Sequence, residues 1–338
     1  MRVGAGRYRM VLVLLALGLL GAVLLAVAIG AVDISPGSVV RLVVWKLGLI
    51  DRPDVPRAIE VILFQLRLPR VALATSGALF QGLFRNPLAD PAIIGVSSGA
   101  ALGAIVVIVL GGGAVLGGLG VSVAAFAGAL LTAFFVYRLA RVGPTVHVAT
   151  LLLAGIAVAA IISAVMSLVM SFAGEEIRSI YFWLLGGLSA RGWTAVEVVA
   201  PLVALGVLGS FVLIRDLNIV ALGEERAAQL GVDLDGFKWR VVALGALLAG
   251  AAVSVSGVIG FVGLMTPHLL RLIVGADHRR LLPAVLLAGP MFLVLADLVS
   301  RVALAPQELP LGAVTALVGG PFFLLLLRRE RRRAGAPA

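Results

Sequence analysis

Few side chains in this 338-residue chain have the types and spacing needed for chemistry. Asp297 is the carboxylate that lies well inside an apolar run, and Arg301 follows four residues later, on the same face of a helix. If that run crosses a membrane, its acid is a functional candidate by default, and a proton relay is one interpretation. The spacing favours a second interpretation, in which Arg301 forms an ion pair with Asp297.

The sequence has no pattern for catalysis and only a weak one for metal binding. The histidines His147, His268 and His278 lie in separate segments, and the chain has no cysteine, so the metal-binding pattern is weak. The nucleotide-binding loop Gly-x-x-x-x-Gly-Lys-Ser/Thr is missing, and the lysines are Lys46 and Lys238 alone. No acid, base and nucleophile form a catalytic set. The sequence therefore predicts a protein that is not an enzyme and that binds no cofactor itself.

A short polar segment, Leu222–Val232, lies between two apolar runs. Glu224 and Glu225 are placed for the first turn of a short helix, where the helix dipole favours negative charge. Gly231 is placed just past the end of that helix. Because a two-turn helix is marginal alone in water, another surface must hold it. Two interpretations stay open: the helix lies on the membrane surface, or it seats in a groove of a partner subunit.

Composition indicates that lipid is the solvent for most of the chain. It is 61% hydrophobic and only 13% charged, whereas soluble domains carry roughly 25% charged residues. The net charge of +10 does not indicate nucleic acid, because the cationic residues cluster at the ends of apolar runs and form no basic stripe with aromatics. The sequence predicts an all-α, polytopic membrane protein that forms one transmembrane domain over residues 1–338.

Hydropathy and charge predict ten spans with both termini in the cytoplasm, because this arrangement puts most of the 27 Lys and Arg residues inside. The first apolar run is too long for a cleaved signal peptide and fits an uncleaved span. The seventh and eighth spans are interrupted by Gly257, Gly260, Gly263 and Pro267, so one of them could be a half-helix. The predicted spans are 10–32, 68–84, 91–110, 114–137, 147–172, 193–214, 239–260, 262–276, 283–300 and 311–327.

The loops and ends of this topology carry further expectations. The long outer loop Asp33–Leu66 is expected to form short interfacial helices, and Arg328–Ala338 to form a basic flank that is disordered at its end. Segments Pro69–Leu83 and Arg240–Gly260 are both rich in Ala, Gly and Ser. Inverted-topology repeats would explain this likeness, and so would a shared membrane composition.

The most informative stretch is Leu66–Gly103, in which two runs rich in small residues flank a polar hairpin, Arg85–Pro91. Small residues let helix backbones approach closely in a bilayer. Asp90 is placed as an N-cap, with Pro91 at the first helical position. This stretch resembles the signature of FecCD-type permease subunits of type II ABC importers, which take up iron-siderophore complexes, haem and cobalamin. The resemblance extends over nearly the whole chain.

The resemblance implies an inverted-repeat permease in a bacterial cytoplasmic membrane. It would be a homodimer that meets two ATP-binding subunits, which carry ATP and Mg, and one periplasmic or lipoprotein substrate-binding protein. A coupling helix would lie in the cytoplasmic loop at about 216–238. The residues that the resemblance assigns to coupling are Gly223, Glu224, Glu225, Arg226, Ala227, Leu230 and Gly231.

The resemblance also implies two further sets of residues. Arg67, Arg70 and Arg301 would meet acidic residues of the binding protein, although interface anchoring is the alternative for each. The fifth span, Val148–Phe172, would line the translocation pathway. The residues expected along that pathway are Ser163, Met166, Ser167, Met170 and Arg178.

The sequence does not identify the cargo. The amino-acid sequence of the polar hairpin is closer to that of haem permeases, which favours haem as the cargo. A ferric siderophore or cobalamin is the alternative. A rival interpretation is a proton-driven secondary transporter that uses Asp297, and another is a membrane scaffold without transport activity. Arg178 could meet an anionic group of the cargo such as a haem propionate.

Overall fold

The computed structural model describes residues 4–29, 68–116, 118–143, 145–187, 193–305 and 307–334, with positions 41, 45, 50 and 51. This part of the chain is helical, apart from one small hairpin of two strands, β1 (Arg141–Val142) and β2 (Thr145–Val146). Its helices are α1 (Ala5–Ala28), α2 (Leu68–Leu83), α3 (Val96–Val109), α4 (Gly120–Leu139), α5 (Val148–Ser171), α6 (Ile177–Leu184), α7 (Trp193–Val212), α8 (Ile214–Val220), α9 (Glu224–Gln229), α10 (Leu234–Ser256), α11 (Val262–Val274), α12 (His278–Val302) and α13 (Leu311–Ala334).

The ten predicted spans agree with these helices. Helices α1, α4, α5, α10 and α12 are long and apolar enough to cross a membrane, and α7 with α8 makes a span bent by 52°. Shorter apolar helices α2, α3, α11 and α13 account for the other four predicted spans. Helix α6 was not predicted as a separate element, because it is too short to leave a hydropathy signal of its own.

The centre of the bundle is formed by α2 and α10, the two segments that are both rich in Ala, Gly and Ser. From Ala72 onward α2 is almost fully buried, as is most of α10. Ser76 donates a hydrogen bond to the carbonyl of Gly245 across their interface at 2.8 Å. The Phe80 ring fills the space that a side chain at Gly245 would occupy. Small residues thus let these helices approach closely, as the sequence predicts.

A second close pair is formed by α3 and α4. A Cβ atom at Gly99 would collide with the Gly128 carbonyl and the Thr132 side chain, and one at Gly128 would collide with the Gly99 carbonyl. The two backbones are therefore in direct contact, which is possible only because both positions lack a side chain.

The predicted interruption of the seventh and eighth spans lies between α10 and α11, at Gly257–Phe261. Helix α10 is a full span, whereas α11 has 13 residues and is about 20 Å long, short of the roughly 30 Å hydrocarbon core. The eighth span is therefore the partial one. Gly263 and Pro267 lie within α11 and do not break it, which corrects the expectation that they interrupt a span.

The helix ends are mostly where the sequence places them. The Asp90 carboxylate accepts a hydrogen bond from the Ala92 amide at 2.8 Å, and Pro91 opens the turn, which confirms the N-cap. That turn is a 3-10 turn that ends at Ile94, before α3 begins. Helix α13 continues to Ala334 and so includes the first residues of the predicted basic flank, Arg328–Ala338. The disorder expected at the end of that flank stays a prediction. Residues 335–338 and nearly all of the outer loop Asp33–Leu66 lie outside the described part.

Candidate functional site

The predicted coupling helix is α9. Glu224 and Glu225 occupy its first turn, and Gly231 follows it with φ +80°. The amides of Gly231 and Val232 donate to the carbonyls of Ala228 and Ala227, both at 3.0 Å. This pair of bonds is the Schellman motif, so the predicted helix end at Gly231 is confirmed.

Helix α9 is fastened to the bundle by a buried lysine. Lys238, near the start of α10, is 5% exposed. Its Nζ atom lies 2.7 Å from Glu224 Oε2 and donates to the Val146 carbonyl at 2.7 Å. The amide of Val146 in turn donates to Asp235 Oδ1 at 3.2 Å. One ammonium group therefore joins α9, α10 and strand β2, which directly precedes α5.

The sequence did not single out Lys238. A faint signal existed, since it is one of only two lysines in the chain, but its partners lie 14 and 92 positions away. The i, i+3 and i, i+4 spacings that predict contacts within one helix do not apply to partners on different elements. The contacts of Lys238 could therefore not be predicted from spacing.

The seven residues assigned to coupling divide into an inner and an outer group. Ala227 is fully buried, and Glu224 faces Lys238. Glu225, Arg226 and Leu230 are exposed. The exposed group therefore consists of a carboxylate, a guanidinium group and an apolar side chain.

Helix α5 has one packed face and one open face. Its packed stripe contains Leu151, Gly155, Val158 and Ile162. The opposite face is exposed and almost entirely apolar, with small side chains among large ones. The exposed residues of this face include Leu153, Ile156, Ala157, Ala160, Ile161, Ser163, Ala164, Ser167 and Leu168.

The pathway residues predicted on α5 separate by burial. Ser163 and Ser167 are exposed, and the Ser167 hydroxyl donates to the Ser163 carbonyl at 3.0 Å. Because that hydroxyl is satisfied within the helix, the face offers few polar groups to a passing molecule. Met166 and Met170 are half-buried and pack against a small cluster that contains Ile180 of α6.

Helix α6 is anchored at its C-terminal end. The Gly187 amide donates to the Ser256 carbonyl at 2.9 Å, and the Gly312 amide donates to the Leu185 carbonyl at 3.1 Å. These bonds satisfy backbone groups next to the break Gly257–Phe261, as a low-dielectric environment requires. Arg178, in the first turn of α6, is exposed and lies 5.6 Å above the Phe182 ring.

The ion pair predicted from the spacing of Asp297 and Arg301 is confirmed. Arg301 Nε lies 3.3 Å from Asp297 Oδ2, and Arg301 Nη2 donates to the Ala26 carbonyl of α1 at 3.1 Å. Both side chains are largely buried. Asp297 also borders a cavity of about 490 Å³ with Trp183, Ser300 and Glu308. Arg67 lies outside the described residues, and Arg70 is described only as part of the α2 backbone.

The histidines have separate settings. His278 and Asp277, at the start of α12, both contact Asn218 of α8: the His278 amide donates to Asn218 Oδ1 at 2.9 Å, and Asn218 Nδ2 donates to Asp277 Oδ1 at 2.7 Å. His268 stacks edge-on against Phe322. Over the described ranges, no three metal-ligating side chains come together.

The pKa of Asp90, in the loop before α3, is shifted. Burial raises the pKa of the Asp90 carboxyl above its usual value, while the hydrogen bond from the Ala92 amide acts in the opposite direction.

Comparisons with known proteins converge on one group. Residues 16–329 match the model of the FecCD transport family. The chain is 47% identical to a cobalamin import system permease protein of Halobacterium salinarum, over 83% of this chain and 77% of the relative. It is 40% identical to a hemin transport system permease protein of Yersinia pestis, over 95% and 98%. A solved inward-facing structure of a metal-chelate type ABC transporter superposes with TM-score 0.79 and 31% identity, over 95% and 99%.

Proposed function

Because this chain belongs to the FecCD transport family and is the permease of a type II ABC importer for chelates, we propose that its cargo is a metal tetrapyrrole. The amino-acid sequence of the hairpin Arg85–Pro91 favours haem. Cobalamin is the second candidate, supported by the 47% identity to a cobalamin permease. Both are large metal macrocycles. A ferric siderophore is the remaining alternative.

The observation that carries this proposal is the open face of α5. That face is apolar, and Ser163 and Ser167 project from it without offering a set of converging polar groups. A tight binding site needs converging polar groups. The apolar face of α5 lacks them, so it suits a path along which a bulky cargo passes without being held.

The cargo path lies between two copies of the chain. The exposed face of α5 contains small residues, among them Ala157, Ala160 and Ala164, and small residues are typical of helix interfaces within bilayers. The homodimer buries part of this face and leaves the rest to line the path. Arg178, exposed beside the outer end of α5, meets the anionic edge of the cargo.

Energy for transport comes from two ATP-binding subunits, which bind ATP and Mg. Their contact is α9, through Glu225, Arg226 and Leu230. A displacement of α9 reaches α10 through the Glu224–Lys238 pair, and it reaches α5 through the bond between Lys238 and Val146. Packed elements of this kind move as rigid bodies between discrete arrangements.

On the opposite side, a substrate-binding protein docks against the arginines. Arg67 and Arg70 are the leading candidates for pairing with its acidic residues. Arg301 contributes less, because its guanidinium group is engaged by Asp297 and by the Ala26 carbonyl. Both termini and α9 lie in the cytoplasm.

The test is uptake into proteoliposomes that contain the permease with its ATP-binding subunit and binding protein. Haem, cobalamin and a ferric siderophore are supplied one at a time, with and without ATP. We expect ATP-dependent accumulation of haem or cobalamin and none of the siderophore. Uptake of the siderophore alone would contradict the proposed cargo, and uptake without ATP or the partner subunits would contradict the ABC mechanism.

A further inference from the structure

A cleft lies on the outside of the bundle where α4 ends and α10 begins. Its volume is about 360 Å³. The side chains that line it are three aromatic rings, two arginines and one carboxylate. They belong to Phe134, Tyr137, Arg138, Arg141, Asp235 and Trp239.

The rings place this cleft at the boundary between lipid and water. Phe134 lies one turn deeper in the apolar helix α4, and its ring is half-exposed. Trp239 is 41% exposed and packs against Tyr137 at 5.0 Å between ring centroids and against Phe134 at 6.3 Å. Tryptophan and tyrosine concentrate at the depth of lipid headgroups, where one side of the ring is apolar and the other is wet.

Two of the three charged side chains that line the cleft are cationic. Arg138 and Arg141 are both exposed, and Arg141 Nε donates to the nearby Gly143 carbonyl at 3.2 Å. Asp235 is the one carboxylate in the lining, and its Oδ1 atom accepts from the Val146 amide. The lining therefore carries a net positive charge, which attracts an anion.

We propose that this cleft binds the headgroup of an anionic phospholipid. The phosphate lies between Arg138 and Arg141, because guanidinium groups match phosphate geometry with paired hydrogen bonds. The glycerol and the start of the acyl chains lie along Trp239 and Phe134. Basic pockets between transmembrane helices on the cytoplasmic side are known to take acidic lipid headgroups.

The site adjoins the coupling region. Asp235, in the cleft lining, bonds to the Val146 amide, and the Val146 carbonyl accepts from Lys238. A bound lipid therefore steadies the start of α10 and strand β2, the elements to which α9 is fastened. The proposal goes beyond the cargo and the energy source, and it stands or fails independently of them.

The experiment measures lipids retained by the purified permease with native mass spectrometry, after equilibration with equal amounts of phosphatidylglycerol and phosphatidylcholine. We expect retained phosphatidylglycerol to exceed phosphatidylcholine by about tenfold or more. Replacing both arginines, Arg138→Gln with Arg141→Gln, should lower that preference by about tenfold. Trp239→Ala keeps both charges and should lower total retention several-fold.

The matched control removes two exposed arginines elsewhere at the same end of the bundle, Arg215→Gln with Arg279→Gln. It should retain phosphatidylglycerol as the wild type does. An equal loss in the control pair would overturn the proposal, since it would show attraction by net charge alone. Displacement by excess inorganic phosphate would assign the cleft to free phosphate, and displacement on adding the ATP-binding subunit would assign it to a protein contact. Either result overturns the lipid assignment.

Discussion

Lys238 is the residue that joins the predicted coupling helix α9 to the rest of the bundle. Its ammonium group has two partners on different elements, Glu224 and the Val146 carbonyl, and it is almost excluded from water. A charged hydrogen bond of this kind contributes more than a neutral one. Loss of the lysine would release α9 from both α10 and β2.

Lys238→Met should uncouple ATP hydrolysis from uptake. The methionine keeps the volume but leaves Glu224 without its partner, at a cost of about 1–3 kcal/mol. We expect ATPase activity of the assembled transporter to persist while the cargo moved per ATP falls several-fold. Both quantities are measured together in proteoliposomes.

The control is Arg240→Gln, which removes an exposed cation from the same helix, one that faces Asp216 at 3.6 Å. Exposed pairs contribute little, about 0–1 kcal/mol, so coupling should be unchanged. Equal uncoupling in the control, or normal coupling in Lys238→Met, would contradict the role given to the buried lysine.

Asp297→Asn separates ABC transport from proton-driven transport. The structure gives Asp297 a structural partner in Arg301, so the amide should lower the thermal stability of the protein without abolishing ATP-dependent uptake. Uptake is measured per unit of folded protein, with and without a proton gradient. Complete loss of uptake in a folded variant, with the ATP-binding subunits dispensable, would favour the proton-driven rival.

At the scale of elements, the membrane fold depends on positions where no side chain fits. Gly99 and Gly128 hold α3 and α4 in backbone contact. Such contacts replace the hydrophobic effect, which does not drive helices together inside lipid.

Gly128→Leu should therefore destabilise the bundle. Overpacking typically costs about 1–3 kcal/mol, and the backbone of α3 cannot move aside without breaking its other contacts. We expect a lower yield of folded protein and a lower Tm in detergent. The matched control is Gly21→Leu in α1, where a Cβ atom would meet open space. A similar loss in the control would contradict the packing explanation, since it would show that a leucine is harmful even where a Cβ atom meets open space.

Hydropathy and charge were enough to predict the spans, because a bilayer imposes a length and an apolar composition on every helix that crosses it. The N-cap at Asp90 and the pair of Asp297 with Arg301 were predictable as well, because both depend on fixed spacing within one helix. The anchoring of α6 and the Lys238 contacts were not, since they join segments that are distant in sequence. The position of the break at Gly257–Phe261 also depends on partners, namely the carbonyl and amide groups around Leu185 and Gly312.

At the scale of the whole molecule, α1 and α5 are among the helices that leave large apolar faces uncovered. Helix α1 packs one stripe, Ala22, Val23 and Ala26, against α12. The exposed residues of α1 are mainly large, whereas those of α5 include many small ones. Lipid suits the first face, and a second copy of the chain suits the second.

Cysteine cross-linking tests this difference cleanly, because the natural chain has no cysteine. Ser163→Cys on α5 should give a covalent dimer on mild oxidation in membranes. Leu14→Cys on α1 has a similarly apolar, exposed setting and should stay monomeric. Dimers from α1 and none from α5 would contradict the proposed arrangement.

The burial of Lys238 also makes it a natural reporter of motion. Amine-reactive reagents have two side-chain targets in 338 residues, Lys46 and Lys238. An acylating reagent can reach Lys238 only while α9 is lifted away, so the rate of modification there follows the opening of this contact through the ATP cycle. This motion can thus be followed in the natural sequence, without an engineered reporter residue.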